Sequence, residues 1–266
     1  MKEINVATWE DFLKGLEEIR KERLTSTCYV QNDPLLFRGQ GSSCWRLDTT
    51  LERVREQMLY RDYYRVIAKI KPQIESLMGS DWPIPSYPDV ELLARDYDKF
   101  AITLWAGEKP AYPYMAYLRH HGFPSPLLDW SRSPYVAAYF AFKNPCKDAS
   151  RKVAIFITCR RNFALSGNGM NVMYRFGPFV KTHRRHVLQQ SEYTACLSFH
   201  DEWRFENHDT AFKEGPHQQA FCWKFTIPVT ERSKVLSSLD EYNLNAFSLF
   251  GSEESLMEAL ADREFN

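Results

Sequence analysis

Residues 35–46, Leu-Leu-Phe-Arg-Gly-Gln-Gly-Ser-Ser-Cys-Trp-Arg, hold the first group that could do chemistry. A short apolar run stops at Arg38-Gly39-Gln40-Gly41, as a buried strand does before a tight polar bend. The run delivers one guanidinium to a strand end, where the glycines let another backbone or a ligand approach closely. A guanidinium holds a phosphate or carboxylate in a planar, two-pronged grip. It also serves as a structural partner for an acid. A second group runs from Leu118 to Phe142: His120-His121-Gly122-Phe123-Pro124, then Leu127-Leu128-Asp129-Trp130, then Ser131-Arg132-Ser133-Pro134 and an apolar run. Asp129 is a partner for Arg38 or Arg132 and reads as structural rather than catalytic. His121 reads either as a donor to a phosphate or as a turn-positioning residue beside Gly122 and Pro124. The third group is Gln190-Ser191-Glu192, at the start of an expected strand. At strand spacing, positions 190 and 192 project from one face, so an amide and a carboxylate would share a cleft.

The elements that must position these groups follow from pattern and punctuation. Residues 8–22, TWEDFLKGLEEIRKE, read as an amphipathic helix capped by Thr8. Strand Leu35–Phe37 follows, then a charge- and Tyr-rich helical stretch over 49–78 with a break expected at Pro72. A Pro-rich break at 81–87 precedes helices over 89–107 and 111–119. Leu127–Trp130 is a short strand or loop, and Pro134 opens a helix that is apolar on almost every side up to Phe142. Strands are expected at Val153–Thr158, Tyr193–Ser198 and Phe221–Ile227, with a Gly/Asn loop over 164–172. Helix 231–241, a short strand near 245–250 and helix 252–262 complete the chain. The expected fold is one α+β domain over residues 1–266, with a mainly antiparallel β core and a helical insert, residues 49–120, between the first two core strands.

Composition narrows the function classes. The 266 residues are 44% hydrophobic and 15% aromatic, enough for a real core. Net charge is +0, so no global nucleic-acid or membrane signature exists, and no window approaches the length of a membrane span. Charge is unevenly spread: from Ala149 to Ser191 there is no Asp or Glu, while eight Lys and Arg residues fall there. That stretch reads either as a basic surface for a polyanion or as a face balanced by acids from elsewhere. Six scattered cysteines without C-x-x-C spacing, and no signal peptide, point to reduced thiols and a cytoplasmic location. No metal site is expected, since His120 and His121 are adjacent and no Cys lies near them in sequence.

With Phe37-Arg38-Gly39 upstream of the 118–142 segment, the chain resembles FRG domains, a family named after its Phe-Arg-Gly tripeptide. The likeness covers most of the chain, from Thr8 to Leu249-Phe250 and the last helix. Arg38, Ser131-Arg132-Ser133 and Gln190-Ser191-Glu192 also stand in the order found in ADP-ribosyltransferases of the Arg-Ser-Glu type. The long insert between Arg38 and Asp129 departs from compact members of that group. This second resemblance implies a β core of ADP-ribosyltransferase type and NAD as substrate. Cleaving the nicotinamide–ribose bond builds positive charge on the ribose, as glycoside cleavage does. Glu192 would face that charge, Gln190 would orient the acceptor, and Arg38 would grip the pyrophosphate with Gly39 and Gln40 beside it. Ser131 or Ser133 would bond the ribose or support Glu192, His121 would meet a phosphate, and Trp130 and Tyr139 are stacking candidates, Tyr139 being as well suited to the core.

The resemblance therefore implies an NAD-dependent ADP-ribosyltransferase that modifies a macromolecule. The basic stretch favours nucleic acid, RNA or DNA, as acceptor. It further implies an intracellular toxin or phage-defence effector, checked by an antitoxin or inhibitor protein. The same site with water as acceptor would be an NAD glycohydrolase. The basic stretch and the aromatics suit a non-catalytic nucleic-acid-binding or adaptor module as well.

Overall fold

The computed structural model describes residues 1–105, 109–147, 150–161, 172–178, 180–213, 218 and 220–265. Among them an eight-stranded sheet forms the centre. In chain order its strands are β1 (Lys2–Asn5), β2 (Leu36–Gln40), β3 (Leu128–Ser131), β4 (Lys152–Arg160), β5 (Val172–Arg175), β6 (Ser191–Phe199), β7 (Trp203–Phe205) and β8 (Ala220–Pro228). They lie in the order β1-β8-β4-β2-β3-β6-β5, with β7 also on β6. β1 runs parallel to β8, and the other ladders among the described residues are antiparallel. The architecture is thus α+β, as the strand and helix patterns imply. No helix among the described residues is long and apolar enough to cross a membrane.

Local chemistry sets the helix ends. In α1 (Trp9–Thr25) the Thr8 hydroxyl accepts from the Asp11 N–H at 3.2 Å. α6 (Pro134–Lys143) begins with Pro134, and Ser133 caps it by accepting from the Val136 N–H at 3.3 Å. Between β2 and β3 stands the helical insert: α2 (Tyr60–Met78), α3 (Tyr87–Ala94), α4 (Tyr97–Trp105) and α5 (Tyr112–His120). The remaining helices are α7 (Arg185–Leu188), α8 (Arg232–Glu241), α9 (Ala246–Phe250) and α10 (Glu253–Phe265).

Several boundaries differ from expectation. Helix α2 starts at Tyr60, because the chain takes a left-handed turn at Gln57, and it runs through the exposed Pro72 without ending. The helix expected over 89–107 is two helices, since Asp96 starts a new one by accepting from the Lys99 N–H at 3.1 Å. The strand expected near 245–250 is α9, secured by a reciprocal cap between Asn245 and Ser248. The Gly/Asn loop, apart from Val172, lies outside the described residues. Short strands β1, β5 and β7 were not expected from the sequence.

Side-chain alternation and register divide the sheet into two faces. The partners Phe37, Ser131 and Ser191 share one face, on which Tyr193, Ala195 and Leu197 also fall. That face carries two apolar cores. One gathers Phe12, Phe37, Ala137, Ile155 and Phe225 beneath α1, α6 and α8. The other gathers Tyr63, Phe100, Tyr114, Tyr193 and Trp203 beneath the insert. The opposite face carries a smaller core with Leu36, Leu128, Trp130 and Phe156.

Gly39 explains how closely α6 lies on β2. A Cβ at this position would stand 1.8 Å from the Ala137 carbonyl oxygen and 2.6 Å from the Ala141 nitrogen. Both are helix backbone and cannot rotate away. Gly41 is similar, with the Asn144 carbonyl 2.7 Å from a Cβ. What approaches these glycines is α6 at Gly39 and the residue that ends it, Asn144, at Gly41. Gly39→Ala is therefore expected to destabilise the protein by about 3 kcal/mol or more, or to prevent folding. Urea unfolding followed by circular dichroism measures this, and an unchanged midpoint would contradict the packing of α6 on β2.

Candidate functional site

A cleft of about 430 Å³ opens where β2 and β3 part. Their ladder has the single register pair Phe37↔Ser131. Beyond it, Arg38 to Gly41 form one wall, Asp129 to Ser131 another, and Ser191 and Tyr193 of β6 a third. The insert closes the cleft with Arg119 and His120, and Arg53, Arg185 and Trp45 stand around it. Four guanidiniums and one carboxylate make the wall strongly cationic, suited to a ligand with anionic groups.

Asp129 organises the charges. Arg119 donates through Nε to Oδ1 at 3.1 Å and through Nη2 to Oδ2 at 2.5 Å, a two-pronged pair. Arg38 donates through Nη1 to the Asp129 carbonyl at 2.9 Å and stands 3.9 Å from Oδ2. Burial lowers the Arg38 guanidinium to about 10, still charged at neutral pH, and its Nε is buried with no partner among the described residues. Gln40 is buried too: its amide donates to the Arg46 carbonyl at 3.1 Å, and its Oε1 has no partner among the described residues.

A chain of hydrogen bonds leaves the cleft at His120. Its Nε2 lies 2.7 Å from the Tyr193 hydroxyl, and that hydroxyl lies 3.3 Å from Nδ1 of the buried His186. Nε2 of His186 lies 2.9 Å from the Pro178 carbonyl. Burial holds His120 down at about 4, against the opposing pull of Asp129, and raises the Tyr193 phenol. Both are neutral at physiological pH.

The structure brings together some of the residues picked out from the sequence and separates others. Arg38, Gly39, Gln40 and Ser131 line the cleft. The free side of Gly39 is filled by α6, and the Ser131 hydroxyl is committed to the Gln189 carbonyl at 2.8 Å. Ser133 is a helix cap. Trp130 borders the cleft, yet its indole is buried against Leu128 and Phe156 and donates to Thr194 Oγ1 at 2.8 Å, so it offers no stacking face. Tyr139 lies in the core away from the cleft, beside Arg232 and Leu236. His121 is exposed past the end of α5, and the adjacent His120 takes the place in the wall.

The larger correction concerns Gln190 and Glu192. Gln190 is exposed in a left-handed turn and does not line the cleft. Glu192 is buried, pairs with Trp130 in register, and points to the face opposite Ser191 and Tyr193. There it meets Arg132 at 2.5 Å and Arg175 at 4.0 Å, while Arg175 also bonds Asp33. Arg38 and Glu192 thus sit in separate ion groups. Asp129 pairs with Arg38 and Arg119; Arg132 goes to Glu192.

His120, Arg119 and Tyr193 were missed. Their signal was present: Tyr112, Ala116, Arg119 and His120 fall at i, i+4, i+7 and i+8 on α5, one inward stripe that excludes His121. The basic stretch is partly neutralised inside the fold, Arg160 and Arg175 both binding Asp33.

Comparison with known proteins gives one match. The family model described as FRG domain matches residues 33–150, which span β2, the insert, β3 and α6 and so include Arg38, Arg119, His120 and Asp129. No curated protein and no solved structure matches the chain.

Buried His208 and partly exposed His120 make the protein less stable in acid. His208 bonds Thr194 Oγ1 at 2.9 Å, and burial together with the nearby Arg38 charge holds it at about 3. An unfolded histidine titrates near 6.5, about the same for both residues. Between there and about 4 the unfolded chain takes up protons that native His208 and His120 refuse. Stability is therefore complete above pH 6.5 and falls with pH, by up to about 1.4 kcal/mol per unit for the fully buried His208 and less for the partly exposed His120. Urea titrations from pH 7.5 to 4.5 are expected to show this loss, with a shallower slope in His208→Gln.

Proposed function

We propose that this chain is an NAD-dependent ADP-ribosyltransferase with nucleic acid as acceptor. One observation carries the reading: β2, β3 and β6, on which Arg38, Ser131 and Ser191 stand, are neighbours in the sheet, and the arginine-walled cleft that all three residues line opens between the first two. The FRG match supports the identification of Arg38 and its surroundings as the characteristic part of the chain. In this reading the protein acts as an intracellular toxin or phage-defence effector, checked by an inhibitor protein.

The roles follow from chemistry. Arg38, Arg53, Arg119 and Arg185 would hold the pyrophosphate of NAD, each able to offer two parallel donors to a phosphate. Asp129, held by Arg119 and partly open to the cleft, replaces Glu192 as the carboxylate facing the ribose. As the C1′–N bond lengthens, negative charge fixed nearby stabilises the cationic ribose and is worth more in transition than in the ground state. For the acceptor, Trp45 is half exposed at the rim and offers a stacking surface, while Lys181 and Arg184 are exposed near Arg185. The fork to Arg119 limits how freely Asp129 could activate water, which favours transfer over hydrolysis.

Incubation with labelled NAD, total RNA, DNA and protein extract tests the reading. Label is expected in the nucleic-acid fraction. Asp129→Asn and Arg38→Lys should each lower kcat/KM by about 100-fold or more. Glu192→Gln should lose on the order of 3 kcal/mol of stability, since it leaves Arg175 without one of its buried acids, yet transfer normally per folded molecule. Free ADP-ribose alone would make the protein a glycohydrolase, and intact NAD with folded protein would sink the reading.

A further inference from the structure

Resting on that reading, we propose that His120 is the general base of the cleft and that Tyr193 and His186 form a proton wire behind it. The protons can be placed from one fact. The Pro178 carbonyl only accepts, so the His186 Nε2 that lies 2.9 Å away carries hydrogen. In neutral His186, Nδ1 then holds a lone pair, and the Tyr193 hydroxyl donates to it. The Tyr193 oxygen in turn accepts from His120 Nε2 at 2.7 Å. His120 is left with a bare Nδ1, and of the two histidines it is the one that lines the cleft, where Tyr193 stands beside it. Neutral His120 is the wire's free end.

The balance is complete. The C1′–N bond of NAD breaks with its electron pair going to nicotinamide, which neutralises the pyridinium. The acceptor atom bonds C1′ and gives its proton to His120 Nδ1. His120 passes the Nε2 proton to the Tyr193 oxygen, and Tyr193 passes its own to His186 Nδ1. One proton is stored on His186, which remains bonded to Pro178. After the product leaves, the wire runs backward and releases the proton to water at His120. The charges around His120 suit this traffic: Asp129 on β3 favours the transient cation, while Arg119 on α5 and His183 and His186 from the chain before β6 oppose its persistence.

Tyr193 acts through His120 and is a positioning residue; its ring, stacked on His186 with centroids 5.6 Å apart, survives in Tyr193→Phe.

Tyr193→Phe is the test. With NAD and the acceptor that wild type labels, kcat should fall by about 100-fold with KM for NAD unchanged. A merely structural loss would raise KM as well. If this variant does not fold, His186→Asn should show the same loss of kcat. Independently of activity, ¹⁵N NMR of histidine-labelled protein should show His120 as the Nε2–H tautomer at neutral pH, and both tautomers of His120 in Tyr193→Phe. Wild-type kcat in Tyr193→Phe would overturn the wire and leave the transferase reading standing, as would an Nδ1–H tautomer of His120 at neutral pH. Absence of NAD turnover with the Nε2–H tautomer present and lost in Tyr193→Phe would remove the base role with the transferase reading and leave the wire itself established.

Discussion

Asp129 ties together the three pieces on which the rest of the molecule depends. Its carboxylate is forked by Arg119 from the insert, its carbonyl receives Arg38 from β2, and its own strand is paired to β6. At this point the sheet is weakly laced, since β2 and β3 share one register pair. Side-chain bonds to Asp129 take over where ladder bonds stop. The arrangement is costly, because it buries a guanidinium with one nitrogen unpartnered among the described residues and surrounds one acid with several bases. Such costs are tolerated at sites that bind charge, where the missing partner arrives with the ligand.

Parity governs how far the site could be read in advance. Gln190 and Glu192 share a face at strand spacing, but the turn at Gln190 is left-handed and the strand begins at Ser191, so the spacing rule does not hold across that boundary. From Ser191 to Ser198 every residue of β6 is buried, which erases the alternation that would have told inward from outward. A slip of one residue then exchanges Glu192 for Tyr193. The same unit error separates His121 from His120, there at the last turn of a helix.

Elements with strong local chemistry were legible: the Thr8 and Ser133 caps, Pro134 at a helix start, and the fully apolar core of β4. Elements that exist because a neighbour pairs with them were not. β1 is a polar tetrapeptide that becomes a strand only beside β8, and β7 is three residues held against β6. The acid-free stretch misled for a related reason. Asp33, far away in sequence, is folded beneath Arg160 and Arg175, so a run of like charge in the chain is a mixed cluster in space. The short motifs around Arg38 and Asp129 were readable because glycine and proline mark the turns on which they sit.

The two apolar cores that share one face of the sheet are separate clusters, with the polar cleft between them. Each half can stay intact while the distance between them changes. The insert shares its core with β6 and β7, so an opening of the cleft would part the sheet where β2 and β3 share one register pair and trade charged contacts at Asp129. In thermodynamic terms the coordinate that admits a ligand is decoupled from the coordinate that unfolds the chain, so the protein can be soft at its mouth and cooperative in its melting.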